Sequence, residues 1–251
     1  MIGPRAAMSS LGVAFVTVQE AAERREALKE RFLAAKSCEL CPQLAQARTH
    51  VVFGSGNADA DLMFVGEAPG QNEDEQAMPF VGRAGKLLDE LLAEIGMTRA
   101  DVFVTNVLMC RPPDNRDPQP SEVERCQQWL WEKLELVRPT VVCTLGNFAT
   151  KLLRADQTGI TKIRGQVEER QLGSMNVRLL PLFHPAAALY TPSNVELLRG
   201  DFQQIPALLE LPPLDQPVVR APEPEPEIEP EPEPDAASFR RPAADPQLGL
   251  F

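Results

Sequence analysis

The chain has 251 residues, of which 36 are acidic and 25 basic, for a formal net charge of -11. No uninterrupted run of about twenty apolar residues occurs, which excludes a transmembrane helix, and a broadly basic nucleic-acid footprint is absent, although a local basic cleft remains compatible with the composition. Five Cys behind an N-terminus whose LGVAFVTV (11–18) is too short for a secretory segment point to a cytoplasmic chain whose thiols bind metal rather than form disulfides.

Residues 1–16 are read as a variable N-terminus and 17–210 as one domain. TVQEAAERREALKERFLAAK (17–36) places Leu, Phe and Ala at helical spacing among paired charges and predicts a helix. Cys38 and Cys41 follow as C-E-L-C. Four short apolar runs then predict strands: LMFVG (62–66), VFVTNVL (102–108), TVVCTLG (140–146) and VRLLPLFHP (177–185). Helical stretches lie between them at 84–96, 120–137 and 147–155. Gly96 suits the position just past a helix end, and Ser121 with Glu124 suits a capping box. Strands alternating with helices predict an α/β fold with a mostly parallel sheet covered on both faces. Ligands in such sheets bind beyond the carboxyl ends of the strands. GEAPG (66–70), Asn106 and His184 all fall there.

Cys110 and Cys126 join the CxxC as two further thiols, so four Cys can enclose one tetrahedral site. Zinc and an iron–sulfur cluster both accept that set, and spacing does not separate them. Cys143, inside an apolar strand, is assigned to packing.

From Leu211 onward nine acidic residues face three basic ones, and PEPEPEIEPEPEPD (222–235) nearly alternates Pro and Glu. Residues 211–246 therefore read as a disordered, extended linker that has little to bury and repels itself.

GEAPGQNEDEQAMPFVGRAGKLL (66–88), TNVLMCRPPDNRDPQPSEVERC (105–126) and HPAAAL (184–189) together resemble the family-4, iron–sulfur uracil-DNA glycosylases over roughly residues 30–210. The resemblance implies a three-layer α/β/α sandwich. It also implies a [4Fe–4S] cluster of structural role on Cys38, Cys41, Cys110 and Cys126, and excision of uracil from DNA by a monomer. The chemistry suits the residues. A base inside a duplex must be flipped into a pocket. Phe80 offers a stacking face, and the amide of Asn106 matches the N3–H and O4 edge of uracil. His184 offers a donor to O2, where charge grows as the bond breaks. The backbone near Ala68 can add an N–H. Glu67 and Glu73 are the carboxylates that can place water, with Glu67 favoured by the resemblance and Asn115 a polar helper.

Arg111, Arg116, Lys162 and Arg164 are candidate phosphate contacts. HPAAAL resembles the superfamily's minor-groove loop, with Leu189 as the wedge into the space left by the flipped nucleotide. Tyr190 departs from the basic residue common there, and Ala77-Met78 from the usual Gly-rich spelling. TGITKIRG (158–165) lacks the Arg-rich, His-bearing loop of the branch that bonds covalently to uracil, so turnover is expected. Two other classes fit parts of the chain: a non-catalytic iron–sulfur DNA-binding module of the same fold, and a zinc-stabilised hydrolase, the latter without a Walker motif.

QLGLF (247–251) resembles the bacterial sliding-clamp pentapeptide, in which Gln247, Leu248, Leu250 and Phe251 fill one groove. A long linker suits such a tether, which raises local concentration without new catalytic contacts. Deleting 247–251 is expected to leave excision from short oligonucleotides unchanged and to abolish capture by the clamp; a truncated protein still captured would refute the assignment.

Overall fold

The computed structural model describes residues 18–217. The N-terminal segment read as variable, most of the acidic linker and the QLGLF peptide lie outside them. In chain order the elements are α1 (Val18–Lys36), α2 (Pro42–Ala47), β1 (Ser55–Gly56), β2 (Leu62–Gly66), α3 (Gln71–Gln76), α4 (Arg83–Glu94), β3 (Val102–Asn106) and α5 (Pro120–Val137). Then come β4 (Val141–Leu145), α6 (Asn147–Arg154), α7 (Ile160–Ile163), β5 (Glu168–Leu172), β6 (Met175–Leu182), α8 (Pro185–Leu189), α9 (Pro192–Phe202) and α10 (Ile205–Leu209). None of the described helices is long and apolar enough to cross a membrane.

The sheet order is β1-β3-β2-β4-β6-β5. The four inner strands run parallel, and both edge strands are antiparallel. Every residue of β2, β3 and β4 is buried, as expected for strands covered on both faces. The two-residue period sorts their side chains. Met63, Val65, Phe103 and Val142 join a core with α1, α2, α5 and α6. Leu62, Phe64, Val102, Val104 and Cys143 join a second core with α4, α7, α9 and α10. These are the three layers the motifs imply. In α4, Leu88, Leu91 and Leu92 are wholly buried. Truncating any of them to Ala costs about 2–5 kcal/mol, so α4 is a fixed wall beside the sheet.

The chain passes from β2 to β3 on one side and returns past it to β4 on the other. The carboxyl ends of β2 and β4 therefore meet at a topological switch point.

The structure adds details that the sequence expectations lacked. Gln119, not Ser121, caps α5, and its box partner is Glu122, not Glu124. Pro120 explains the shift, because its fixed φ and missing N–H suit the first helical position and so place the cap at the residue before it, Gln119. Contacts carry the compact unit on to Pro217. Asn176 Nδ2 donates to Asp215 O at 2.7 Å, and Arg178 Nη2 to Pro212 O at 2.7 Å, which docks the first residues of the expected linker on β6. The edge strand β5 and helices α8–α10 were not among the expected elements. In β5, Glu168 is held by Arg154 and Arg170, so an ionic face stands where an apolar run would have given the signal.

A buried cation joins the sheet to α5. Lys133 Nζ donates to Thr105 Oγ1 at 2.7 Å and to Phe53 O at 2.8 Å, and lies 4.8 Å from the Phe53 ring centre. Burial pushes this ammonium down to about 8, and the two acceptors offset its desolvation.

Candidate active site

Gly66 ends β2 and faces Asn106 across the ladder. A Cβ on Gly66 would stand 2.3 Å from Asn106 Oδ1 and 2.7 Å from Phe80 Cζ. The amide and the ring thus meet over one hydrogen atom. The Phe80 ring lies 5.6 Å from that of His184, tilted by 27°. Amide, phenyl and imidazole, from three distant parts of the chain, converge at the switch point. Asn106 and Phe80 are buried, at 2% and 6% exposure.

His184 is the N-cap of α8, and its Nδ1 accepts from Ala186 N at 3.1 Å. That bond fixes the proton on Nε2, leaving Nε2–H as the donor. Burial pushes the imidazole down to about 4, opposed in part by the charge of Glu73. The ring is neutral throughout the physiological range. Behind it, Gly146 takes φ +92°, and a Cβ there would lie 3.0 Å from His184 Cβ. Thr150 Oγ1 donates to Gly146 O at 2.7 Å and so steadies this turn.

The two carboxylates separate by environment. Glu73 Oε1 accepts from Val81 N and Gly82 N, both at 3.1 Å. It is thus committed to the chain that follows Phe80. Glu67 is half-buried and makes no side-chain hydrogen bond or ion pair among the described residues. Burial raises its carboxyl above the ordinary value, and Asp117 adds like charge. Ala68 follows in the same turn, half-buried against the first core. Asn115 is exposed, with φ +53°, and accepts from Arg111 Nε at 2.8 Å; it braces its own loop.

The expected DNA contacts fare unevenly. Arg116 is paired with Glu122 through two bonds of 2.6 and 2.9 Å. Arg164 is paired with Asp201 at 2.6 Å, donates to Leu197 O and lies over Phe183. Both guanidiniums thus hold internal carboxylates. Lys162 is exposed on α7. Leu189 is half-buried and packs against the second core. Its neighbour Tyr190 is 83% exposed. Which of the two faces outward depends on how α8 docks, and the motif spelling does not contain that.

Cys38, Cys41, Cys110 and Cys126 line one cavity, together with Leu44, Arg48 and Arg125. Arg48 Nη1 approaches Cys110 Sγ at 3.1 Å, and Arg125 Nη1 donates to Leu40 O at 3.1 Å. Burial pushes Cys126 up to about 11 and raises Cys41 and Cys110. Among the described residues no three His, Cys, Asp or Glu side chains gather tightly enough for a single ion. Cys143 is wholly buried in β4, as its assignment to packing requires. Arg48, Arg99, Asp117 and Tyr190 are site neighbours that sequence reasoning missed or left without a role; none belongs to a spacing pattern.

Comparison with known proteins gives a consistent result. Residues 53–206 match the family model described as the uracil DNA glycosylase superfamily. A type-4 uracil-DNA glycosylase of Archaeoglobus fulgidus is 47% identical over 173 residues, covering 67% of this chain and 86% of that protein. One from Thermotoga maritima is 44% identical over 178 residues, covering 70% and 88%. A third, from Sulfurisphaera tokodaii, is 41% identical over 192 residues, covering 74% and 86%.

Proposed function

The chain belongs to the uracil DNA glycosylase superfamily, in its type-4 group, and from this and the pocket we infer that it excises uracil from DNA by hydrolysing the N-glycosidic bond. The observation that carries the site assignment is the meeting of Asn106 and Phe80 at Gly66, with the His184 ring 5.6 Å from that of Phe80.

Phe80 stacks on the everted base. Asn106 reads N3–H and O4, and cytosine, with the reverse pattern, leaves buried partners unpaired. As the C1′–N1 bond breaks, both its electrons pass to uracil, and charge grows on O2. The neutral Nε2–H of His184 donates to that oxygen without the cost of a buried imidazolium. Water adds to C1′, giving an abasic sugar hydroxyl and, after proton transfer, free uracil. Glu67, whose carboxylate has no competing partner among the described residues, positions the water or steadies the cationic sugar. Glu73 instead holds the loop that carries Phe80. The N–H beside Ala68 adds a donor to the pocket.

The four Cys fit a [4Fe–4S] cluster. Around a single zinc the sulfurs would crowd to about 3.8 Å apart, given Zn–S bonds of about 2.3 Å in a tetrahedron. In a cubane each thiolate takes its own iron and they stand further apart. All four thiols line one cavity, and the resemblance to the iron–sulfur branch of the family favours the cluster. When bound, such a group would supply cross-linking, with Cys38 and Cys41 at the α1–α2 junction, Cys110 after β3 and Cys126 on α5 holding it, and Arg48 and Arg125, which line the same cavity, would offset its negative charge.

DNA held at the pocket mouth meets Arg111 and Lys162. Tyr190 takes the wedge role in place of Leu189, since it is the exposed ring at the end of the short helix that His184 caps. Base stacking on an aromatic side chain contributes about 1–3 kcal/mol. Tyr190→Ala is therefore expected to slow excision from duplex DNA about tenfold, and to change it much less on single strands, where no stack must be refilled. An unchanged duplex rate would remove Tyr190 from this role. A sliding clamp is the second partner, supported by the QLGLF sequence and tested by the truncation described above. Single-turnover incubation with uracil-containing DNA tests the activity itself: abasic product is expected, and binding without product would mean a non-catalytic module.

A further inference from the structure

Phe80 has a backbone conformation that its side chain disfavours. Its φ is +53°, in the left-handed region, where a bulky residue costs on the order of 1–3 kcal/mol and persists only if its surroundings impose it. The peptide joining Phe80 to Val81 shows what imposes it. At its carbonyl end, Arg99 Nη2 donates to Phe80 O at 2.8 Å. At its amide end, Val81 N donates to Glu73 Oε1 at 3.1 Å. One peptide plane is thus gripped from both sides by opposite charges, in the orientation that turns the ring toward Gly66 and His184.

Arg99 is itself fixed. It comes from the turn after α4, and its Nε is bonded to Asp89 on that helix. The same Nη2 lies 3.4 Å from Gly85 O. Helix α4 presses so closely that a Cβ on Gly85 would fall 1.7 Å from Phe80 O. The carbonyl therefore has one place to point, and Arg99 supplies its charged donor there. Among the described residues no hydrogen bond or ion pair joins Arg99 to Asn106 or His184; its partners are Asp89, Phe80 O and Gly85 O.

We propose that Arg99 is a positioning residue of the uracil pocket: through the Phe80–Val81 peptide, it holds the stacking ring in its working place. The proposal rests on Phe80 being the stacking residue.

The test compares wild type, Arg99→Ala, Arg99→Lys and Phe80→Ala by single-turnover excision, inhibition by free uracil and affinity for uracil-free DNA. Arg99→Ala is expected to lower the excision rate about tenfold, the worth of one charged hydrogen bond, and to weaken uracil inhibition in proportion. Affinity for uracil-free DNA should stay unchanged, and Arg99→Lys should recover part of both losses. Unaltered uracil inhibition in Arg99→Ala, with Phe80→Ala impaired, overturns the proposal and leaves the pocket standing. A loss confined to DNA affinity also overturns it, since Arg99 would then be a phosphate contact. If Phe80→Ala excises at the wild-type rate, pocket and proposal fall together. Should Arg99→Ala fail to fold, Arg99→Lys carries the same comparison, with weakened uracil inhibition expected and wild-type inhibition refuting.

Discussion

His184→Ala is expected to excise uracil at least about a hundredfold more slowly than wild type in single turnover, since losing one preorganised donor raises a barrier by about 2.7–4 kcal/mol. The donor is Nε2–H, because Nδ1 is occupied by Ala186 N. A pH profile checks the protonation state independently. With the imidazole pushed down to about 4, it is predominantly neutral from about one pH unit above that value. The His184-dependent part of the rate should therefore be level from about pH 5 to 8. A rate that fell as pH rose through 6 to 7 would mean that the imidazolium works, and would defeat the assignment. Asn106→Asp should lose a similar factor. It keeps the shape but replaces the donor to O4 with a second oxygen, which repels the base edge. Wild-type rates in both variants would dissolve the pocket.

The second large effect concerns stability. Cys126→Ala, or removal of the cluster by oxidation and chelation, is expected to lower Tm by on the order of 10 °C or more, because binding energy at such a site is folding energy. The cross-link spans residues 38 to 126, so its loss also frees a long loop in the unfolded chain. Without it, the α1–α2 junction keeps bonds such as Arg48 to Cys110 and Arg125 to Leu40. Excision should fall as well, since Cys110 lies four residues beyond Asn106. Cys143→Ala is the control: it removes a buried sulfur from β4 and should cost about 1 kcal/mol with visible absorbance retained. A Cys126→Ala protein with wild-type absorbance and melting would exclude the four-thiol site.

The inner strands were legible because burial on both faces writes an unbroken apolar run, as in LMFVG and TVVCTLG. Edge strands write nothing comparable. Ser55–Gly56 is two residues long, and Glu168–Leu172 is charged on its outer face. Asn106, Phe80 and His184 were found because strand ends in parallel sheets are where ligands sit, and because their motifs resemble a known family. The division of labour between Glu67 and Glu73 was not legible. It depends on two amide hydrogens, at Val81 and Gly82, that point at one carboxylate. Arg99 was invisible for a similar reason. A lone Arg in a turn carries no pattern, and its partner is a main-chain oxygen nineteen positions earlier. The pairing of Arg116 with Glu122 and of Arg164 with Asp201 was equally hidden, since a basic residue in a loop says nothing about which carboxylate holds it.

Gly66 has a consequence for how this enzyme can change. It lies on a strand with neighbours on both sides, so the floor of the pocket can neither sink nor gain a methyl group without striking Asn106. The opposite wall is a short strained stretch kept in place by Arg99 and Glu73. Adaptation toward bulkier damaged bases would therefore proceed by relaxing that wall, and lineages that broaden their substrate range should accumulate replacements at 77–82 and at its two ionic anchors while the glycine stays.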